Sequence, residues 1–194
     1  MLIGVLGLQG DFHAHQRMLD RLGVKSIAVK GPEDMKNIDG LIIPGGESTT
    51  ISKLLFRHKL VGPIRKFHLK GKPIFGTCAG MIILAGKIPN HPGQFTFGFI
   101  DISVRRNAYG RQIDSFEEDI PIKSIGEKPF HAVFIRAPKI AKIGKKVESL
   151  ATHGKEHVLV RQKNVLVCSF HPELTNDTRI HGYFLKMADE SKPC

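Results

Sequence analysis

The 194-residue chain has no tryptophan, only two tyrosines and three cysteines, and its 18 acidic residues are outnumbered by 29 lysines and arginines. Each scarcity closes off a class of protein. With so few flat side chains, there is little on which the bases of a single strand would stack. Cys78, Cys168 and Cys194 are widely spaced and form no C-x-x-C pair, which argues against a zinc site or a disulfide framework. Cys194 is the last residue, and fraying is expected over about 189–194. No apolar run reaches the roughly 18–20 residues that span a bilayer, so no membrane partner is expected. The opening "MLIGVLGLQGD" lacks the basic flank and small-residue cleavage site of a signal peptide and reads as a first strand. A cytoplasmic chain is expected, with a single domain over 1–194 large enough for a sizeable core.

The excess of +11 calls for a partner or a surface to carry it. Phosphate attracts clustered lysine and arginine. Here the basic residues are dispersed, and the densest groups, "KIAKIGKK" and "RRNAYGR", are short. A solvated basic face, or a docking face for an acidic protein, fits that dispersal.

Periodicity supplies the fold class. "LIGVL" (2–6), "SIAV" (26–29), "GLIIPGGES" (40–48, broken at Pro44) and "KPIFG" (72–76) read as strands. Between them, Ala14, Met18 and Leu22 share a helical face ahead of Gly23, and Ile51, Leu54 and Leu55 share another on a helix capped near Ser48. The apolar run after Cys78 reads as a buried helix. This alternation argues for a mostly parallel central sheet flanked by helices. The middle changes character: "GFIDISV" (98–104), "DIPIK" (119–123) and "AVFIRAP" (132–138) are strands with no long helix between them. Two further strands fill 156–173 around a turn near Gln162-Lys163-Asn164, and a helix bearing Ile180, Phe184 and Met187 ends the chain. The class is therefore α/β with an antiparallel β excursion. Ligands in such sheets sit beyond the carboxyl ends of the strands.

"PIFGTCAGMIILAG" places Cys78 at such an end, between Gly76 and Gly80 and at the start of a helix. Small neighbours let the turning chain pass close to adjacent elements, as in a G-x-S-x-G elbow with sulfur replacing the hydroxyl. The partial positive charge of a helix N-terminus favours an anion there. The competing reading is that Cys78 is a small buried hydrophobe. A nucleophilic thiol needs a base and a group that orients the base. "CSFHPEL" offers His171 and Glu173, two apart across Pro172, whose side chains would share one side of an extended backbone; the alternative is a surface pair. Cys168, inside the preceding apolar strand, reads as structural. Donors for an oxyanion would be the amide of Ala79 and, in "PGGES", a peptide at Gly45–Gly46 turned inward.

Together these pieces resemble the class I glutamine amidotransferases, whose triad is Cys–His–Glu with the last two in an H-P-E motif. "GVLGLQGD", "LIIPGGEST", "FGTCAGMIILA", "RRNAYGRQIDSFE", "VFIRAP" and "CSFHPEL" are most similar to the glutaminase-subunit family of pyridoxal 5′-phosphate synthases, over about residues 3–187. Ile82 stands where several other branches carry glutamine, and "KIPNHPGQFTFG" (87–98) matches poorly. The resemblance implies a flavodoxin-like fold and hydrolysis of L-glutamine without a metal or organic cofactor. It implies Cys78 as nucleophile, His171 as acid–base and Glu173 as its orienter. It also implies glutamine contacts from Gly46, Glu47, Ser48, Arg106, Ile135 and Arg136, and an oxyanion hole from Gly46 and Ala79. The implied partner is the (β/α)8-barrel synthase subunit; separately, the N-terminal "GLQGD" loop is expected to form part of the docking face. Two other readings remain open: a cysteine hydrolase acting on another substrate class, and a non-catalytic module holding nucleic acid.

Overall fold

Short β-branched runs set the strands, and the segments between them close over the sheet as amphipathic helices. The computed structural model describes residues 1–106 and 115–191. Its strands are β1 (Leu2–Leu6), β2 (Lys25–Val29), β3 (Gly40–Ile43), β4 (Ile74–Thr77), β5 (Ala85–Lys87), β6 (Ile100–Arg105), β7 (Ser115–Ile120), β8 (Phe130–Ile135), β9 (Lys139–Ile143), β10 (Glu148–His153), β11 (Glu156–Gln162) and β12 (Val165–Cys168). The helices are α1 (Phe12–Arg21), α2 (Ser48–Arg57), α3 (Val61–Leu69), α4 (Ala79–Leu84) and α5 (Arg179–Glu190).

Seven strands form the central sheet in the order β10-β11-β12-β4-β3-β1-β2. The pairs among β12, β4, β3, β1 and β2 are all parallel, whereas β11 and β10 continue the sheet antiparallel. Successive side chains of a strand point to opposite faces, and this splits the core in two. Leu41 and Ile43 of β3 join Ile51 and Leu55 of α2, Ile64 and Phe67 of α3 and the apolar α4 on one face. Ile42, with Phe75 of β4, joins Leu19 of α1 and Ile180 and Phe184 of α5 on the other. The expected α/β class with helices on both faces is what the chain builds. The excursion consists of two smaller sheets, β5-β6-β9 and the antiparallel pair β7-β8.

Four elements, α3, β5, β9 and β10, lie outside the sequence reading. The strand expected over 119–123 is β7, which ends at Ile120 before a 3-10 turn over Lys123–Ile125. Gly62 and Pro63 hide α3, yet a proline in the first helical turn needs no amide donor there. β9 and β10 carry mixed polar and apolar residues on strands largely open to solvent, so neither has a clean alternation. The helix cap expected near Ser48 is Glu47, whose carboxylate accepts from the Thr49 and Thr50 amides. At the C-terminus, α5 runs on to Glu190 through part of the segment expected to fray. Cys194, and residues 107–114 of the "RRNAYGRQIDSFE" block, lie outside the described residues.

Candidate functional site

The parallel strands β3, β4 and β12 lie side by side, so their carboxyl ends open onto one edge. Cys78 follows β4 directly. Its amide donates to the Cys168 carbonyl (2.9 Å), the next step of the β4–β12 ladder. The chain then reverses into α4 with Cys78 at φ +49°, a conformation costly for a residue with a side chain. Close packing holds it there. A methyl group on Gly80 would lie 2.0 Å from the Ile43 carbonyl oxygen, and one on Gly76 would lie 2.7 Å from the Gly80 carbonyl carbon. The residue is largely buried, and Sγ lies 4.0 Å from the Ile135 carbonyl.

His171 follows β12. Its amide donates to the Val133 carbonyl of β8 (2.8 Å), and its ring packs on Gly45, where a methyl group would lie 2.5 Å from His171 Cε1 and 3.4 Å from Cys78 Cβ. The imidazole Nδ1 lies 2.7 Å from Glu173 Oε1, and the Cys78 side chain adds to the interactions that favour the charged ring. The structure thus brings together the sulfur, imidazole and carboxylate picked out in the sequence. The local backbone is not the extended one expected. Pro172 opens a 3-10 turn over Pro172–Leu174, and this turn swings Glu173 back under the ring.

Electrostatics favours a charged pair. Burial works against charge on His171, but the hydrogen bonds and charges of Cys78 and Glu173 outweigh it and raise the imidazole to about 10. Burial would likewise raise Glu173, yet His15 and His171 hold it at about 2. At neutral pH the ring is an imidazolium between a sulfur and a carboxylate. A sulfur so placed, with an acid–base group already oriented, suits covalent attack on an acyl carbon. Cys168, by contrast, is fully buried, its thiol pushed well up by that burial and directed to the Phe170 carbonyl (3.3 Å).

The remaining expected residues lie in the turn after β3, at the start of α4, just after β6 and at the end of β8. Gly46 takes φ +145° in the turn after β3, beneath Gln9, whose Oε1 accepts from the Glu47 amide at 2.8 Å. Ala79 opens α4, so its amide is among those a helix cannot satisfy internally. Arg106 donates to Glu47 Oε1 (2.9 Å) and to Gln94 Oε1. Glu47 also accepts from Thr49 and Thr50; although burial opposes its charge, these donors hold it near 2. Ser48 is buried at the start of α2, its hydroxyl without a hydrogen-bond partner among the described residues. Ile135 ends β8 and Arg136 follows at φ +46°, which places this pair above the sulfur.

Sequence reasoning missed the layer behind the carboxylate. His15 of α1 is fully buried, with Nε2 3.5 Å from Glu173 Oε2 and 3.3 Å from Thr77 Oγ1, and Nδ1 3.0 Å from Nε2 of the buried His181. The signal was present. His15 lies next to Ala14 and three residues before Met18, on the apolar face of α1.

The chain is similar to known proteins over nearly its whole length. The model of the SNO glutamine amidotransferase family matches residues 5–190. A pyridoxal 5′-phosphate synthase subunit PdxT from Fervidobacterium nodosum is 53% identical over 190 residues, covering 98% of each chain. A PdxT subunit from Thermosipho africanus is 55% identical over 187 residues, covering 96% of this chain and 98% of its own. A solved glutamine amidotransferase structure, 48% identical, superposes with a TM-score of 0.92 over 96% of this chain and 98% of its own.

Proposed function

Because the chain belongs to the SNO glutamine amidotransferase family, we propose that it hydrolyses L-glutamine to L-glutamate and ammonia at Cys78, as the glutaminase subunit of a pyridoxal 5′-phosphate synthase. The observation that carries this reading is the buried line Cys78–His171–Glu173 at the carboxyl edge of the sheet. In the first half-reaction the Cys78 thiolate attacks the side-chain amide carbon. The C–S bond forms as the carbonyl electrons move to oxygen, and the amides of Ala79 and Gly46 receive the oxyanion. On collapse the C–N bond breaks, and the His171 imidazolium gives its proton to the departing nitrogen. In the second half-reaction the now neutral His171 takes a proton from water as the oxygen adds to the thioester. Collapse breaks the C–S bond, releasing glutamate and restoring the thiolate–imidazolium pair. Glu173 keeps Nδ1–H engaged throughout, which leaves the other ring nitrogen for the proton transfers. The chemistry is complete with side chains and water.

Glutamine's α-carboxylate and α-ammonium need a cation or amide donor and an acceptor. Arg106 with Glu47, the amides around Gly46 and Ser48, and the Ile135–Arg136 peptide supply both kinds around the sulfur. Ammonia that escapes into water is protonated and loses its nucleophilicity, so the chain serves a second one that consumes it, a (β/α)8-barrel synthase subunit. The "GLQGD" loop belongs to the docking face, since Gln9 already bonds the turn that carries Gly46. The test is glutamate release with and without the synthase subunit. Activity should rise in the complex and vanish in Cys78→Ala, and an electrophilic glutamine analogue should label Cys78. Turnover that survives Cys78→Ala, or labelling of Cys168 instead, would overturn the reading.

A further inference from the structure

We propose that His15 is a positioning residue for the glutaminase reaction, donating from Nε2–H to the inner oxygen of Glu173 so that the outer oxygen stays on His171. This rests on the glutaminase reading above and adds to it a fourth and fifth side chain, contributed by α1 and α5.

Carboxylate chemistry sets the direction of the proton chain. An ionised carboxylate only accepts. Glu173 Oε1 takes the His171 Nδ1–H, and Oε2, buried and without a hydrogen-bond partner of full geometry, has His15 Nε2 at 3.5 Å. If Nε2 carried no proton, its lone pair would face those of Oε2 in a space closed to water, and the Thr77 hydroxyl, 3.3 Å away, would have to donate to it. If it carries one, His15 Nδ1 is bare and must accept, and His181 Nε2 stands 3.0 Å away to donate to it. The far nitrogen of His181, Nδ1, is buried without a partner among the described residues. In this assignment it is an idle lone pair, whereas in the opposite one it is a stranded N–H, the costlier outcome. Both ends of the line therefore select the same tautomers: His181 donates to His15, His15 to Glu173, and Glu173 receives His171. Burial keeps His15 below its ordinary range and His181 down at about 3, so both rings are neutral at neutral pH, as this chain of single protons requires. Thr77 Oγ1, from β4, and the edge of Phe75 complete the walls around His15. The 3.5 Å contact has room to tighten as charge moves along the triad during turnover.

The experiment uses two replacements of similar polarity whose amide nitrogens reach different places. Glutamine at 15 extends its nitrogen to the Nε2 position, while asparagine reaches only that of Nδ1. In the complex with the synthase subunit, His15→Gln should keep kcat within about threefold. His15→Asn should lower kcat roughly ten- to hundredfold with KM for glutamine little changed, as expected for a misaligned acid–base group. Equal loss in the two variants, a wild-type kcat in His15→Asn, or a loss confined to KM would overturn the proposal. Nitrogen-15 chemical shifts of the unmodified protein test it without any substitution: the neutral Nε2–H tautomer of His15 is expected, and the Nδ1–H tautomer would sink it. A wild-type complex that releases no glutamate would count against the proposed function instead, and the tautomer would still be read.

Discussion

Two turns at the same sheet edge deliver the groups proposed to react, and they are built on opposite principles. The turn after β4 holds Cys78 by exclusion: a positive φ, and glycines at 76 and 80 so closely packed that a single methyl group would strike backbone. The turn after β12 holds His171 by attraction. Its backbone avoids the left-handed region, Pro172 starts a 3-10 turn, the His171 amide is tied to the Val133 carbonyl, and the hydrogen bond to Glu173 fixes the ring. A nucleophile needs one fixed point from which to attack, and backbone crowding supplies that at any pH. An acid–base group must exchange protons, so its support is electrostatic and responds to its neighbours' charge. The first turn should fail through sterics, the second through charge.

The largest effect is expected at the tighter of these two turns, at Gly80. Gly80→Ala would put a methyl group 2.0 Å from the Ile43 carbonyl oxygen, and neither backbone can yield cheaply. Overpacking of this kind should destabilise the fold by about 3 kcal/mol and displace the sulfur, abolishing glutaminase activity. On the other turn, Pro172→Ala changes chiefly the freedom of the unfolded chain and should cost only about 1 kcal/mol. Denaturant titration of the two variants ranks them. A Gly80→Ala protein as stable as Pro172→Ala would break the contrast.

Next comes the charge itself. Glu173→Gln keeps size and removes the carboxylate that holds Nδ1–H, so the ring can take the wrong tautomer. A fall in kcat of roughly a thousandfold or more is expected, with much of the stability retained. A variant within tenfold of wild type would mean that the backbone held by Pro172 and the Val133 carbonyl orients the ring unaided.

The same contrast explains what was legible in the sequence. The elbow announces itself locally, because only small residues survive at 76 and 80 and the apolar runs on either side fix the strand and helix. The H-P-E pair is visible as residues, but not its geometry; periodicity suggested extended backbone where a 3-10 turn forms. That the two turns meet is a property of strand order, β12 beside β4, which no local pattern encodes; six ordered blocks of resemblance supplied it. His15 was hidden for a different reason. One polar residue on an apolar helical face looks like noise until its partners arrive from β4, α5 and the turn after β12. β9 and β10 left little trace because their solvent-facing sides blur the alternation.

The smallest effect is a displaced titration, and it sharpens the comparison most directly. His171 is raised to about 10 against the pull of burial, with Cys78 and Glu173 both contributing. Nitrogen-15 spectra of the free subunit should show this ring protonated through neutral pH and losing its proton near 10. In Cys78→Ala the midpoint should fall toward the ordinary imidazole range, because the sulfur's hydrogen bond and charge are gone. The sign carries over to stability. A raised imidazole contributes fully below its unfolded value of about 6.5 and loses that contribution as pH rises through about 10. Glu173, held near 2, contributes above its unfolded value of about 4.5 and loses that as pH falls toward 2. Alkaline softening between about 6.5 and 10 should therefore be weaker in Cys78→Ala, while the acid limb, governed by Glu173, persists. If the His171 midpoint were unchanged in Cys78→Ala, the sulfur would not be its partner, and the two turns would be neighbours without being a site.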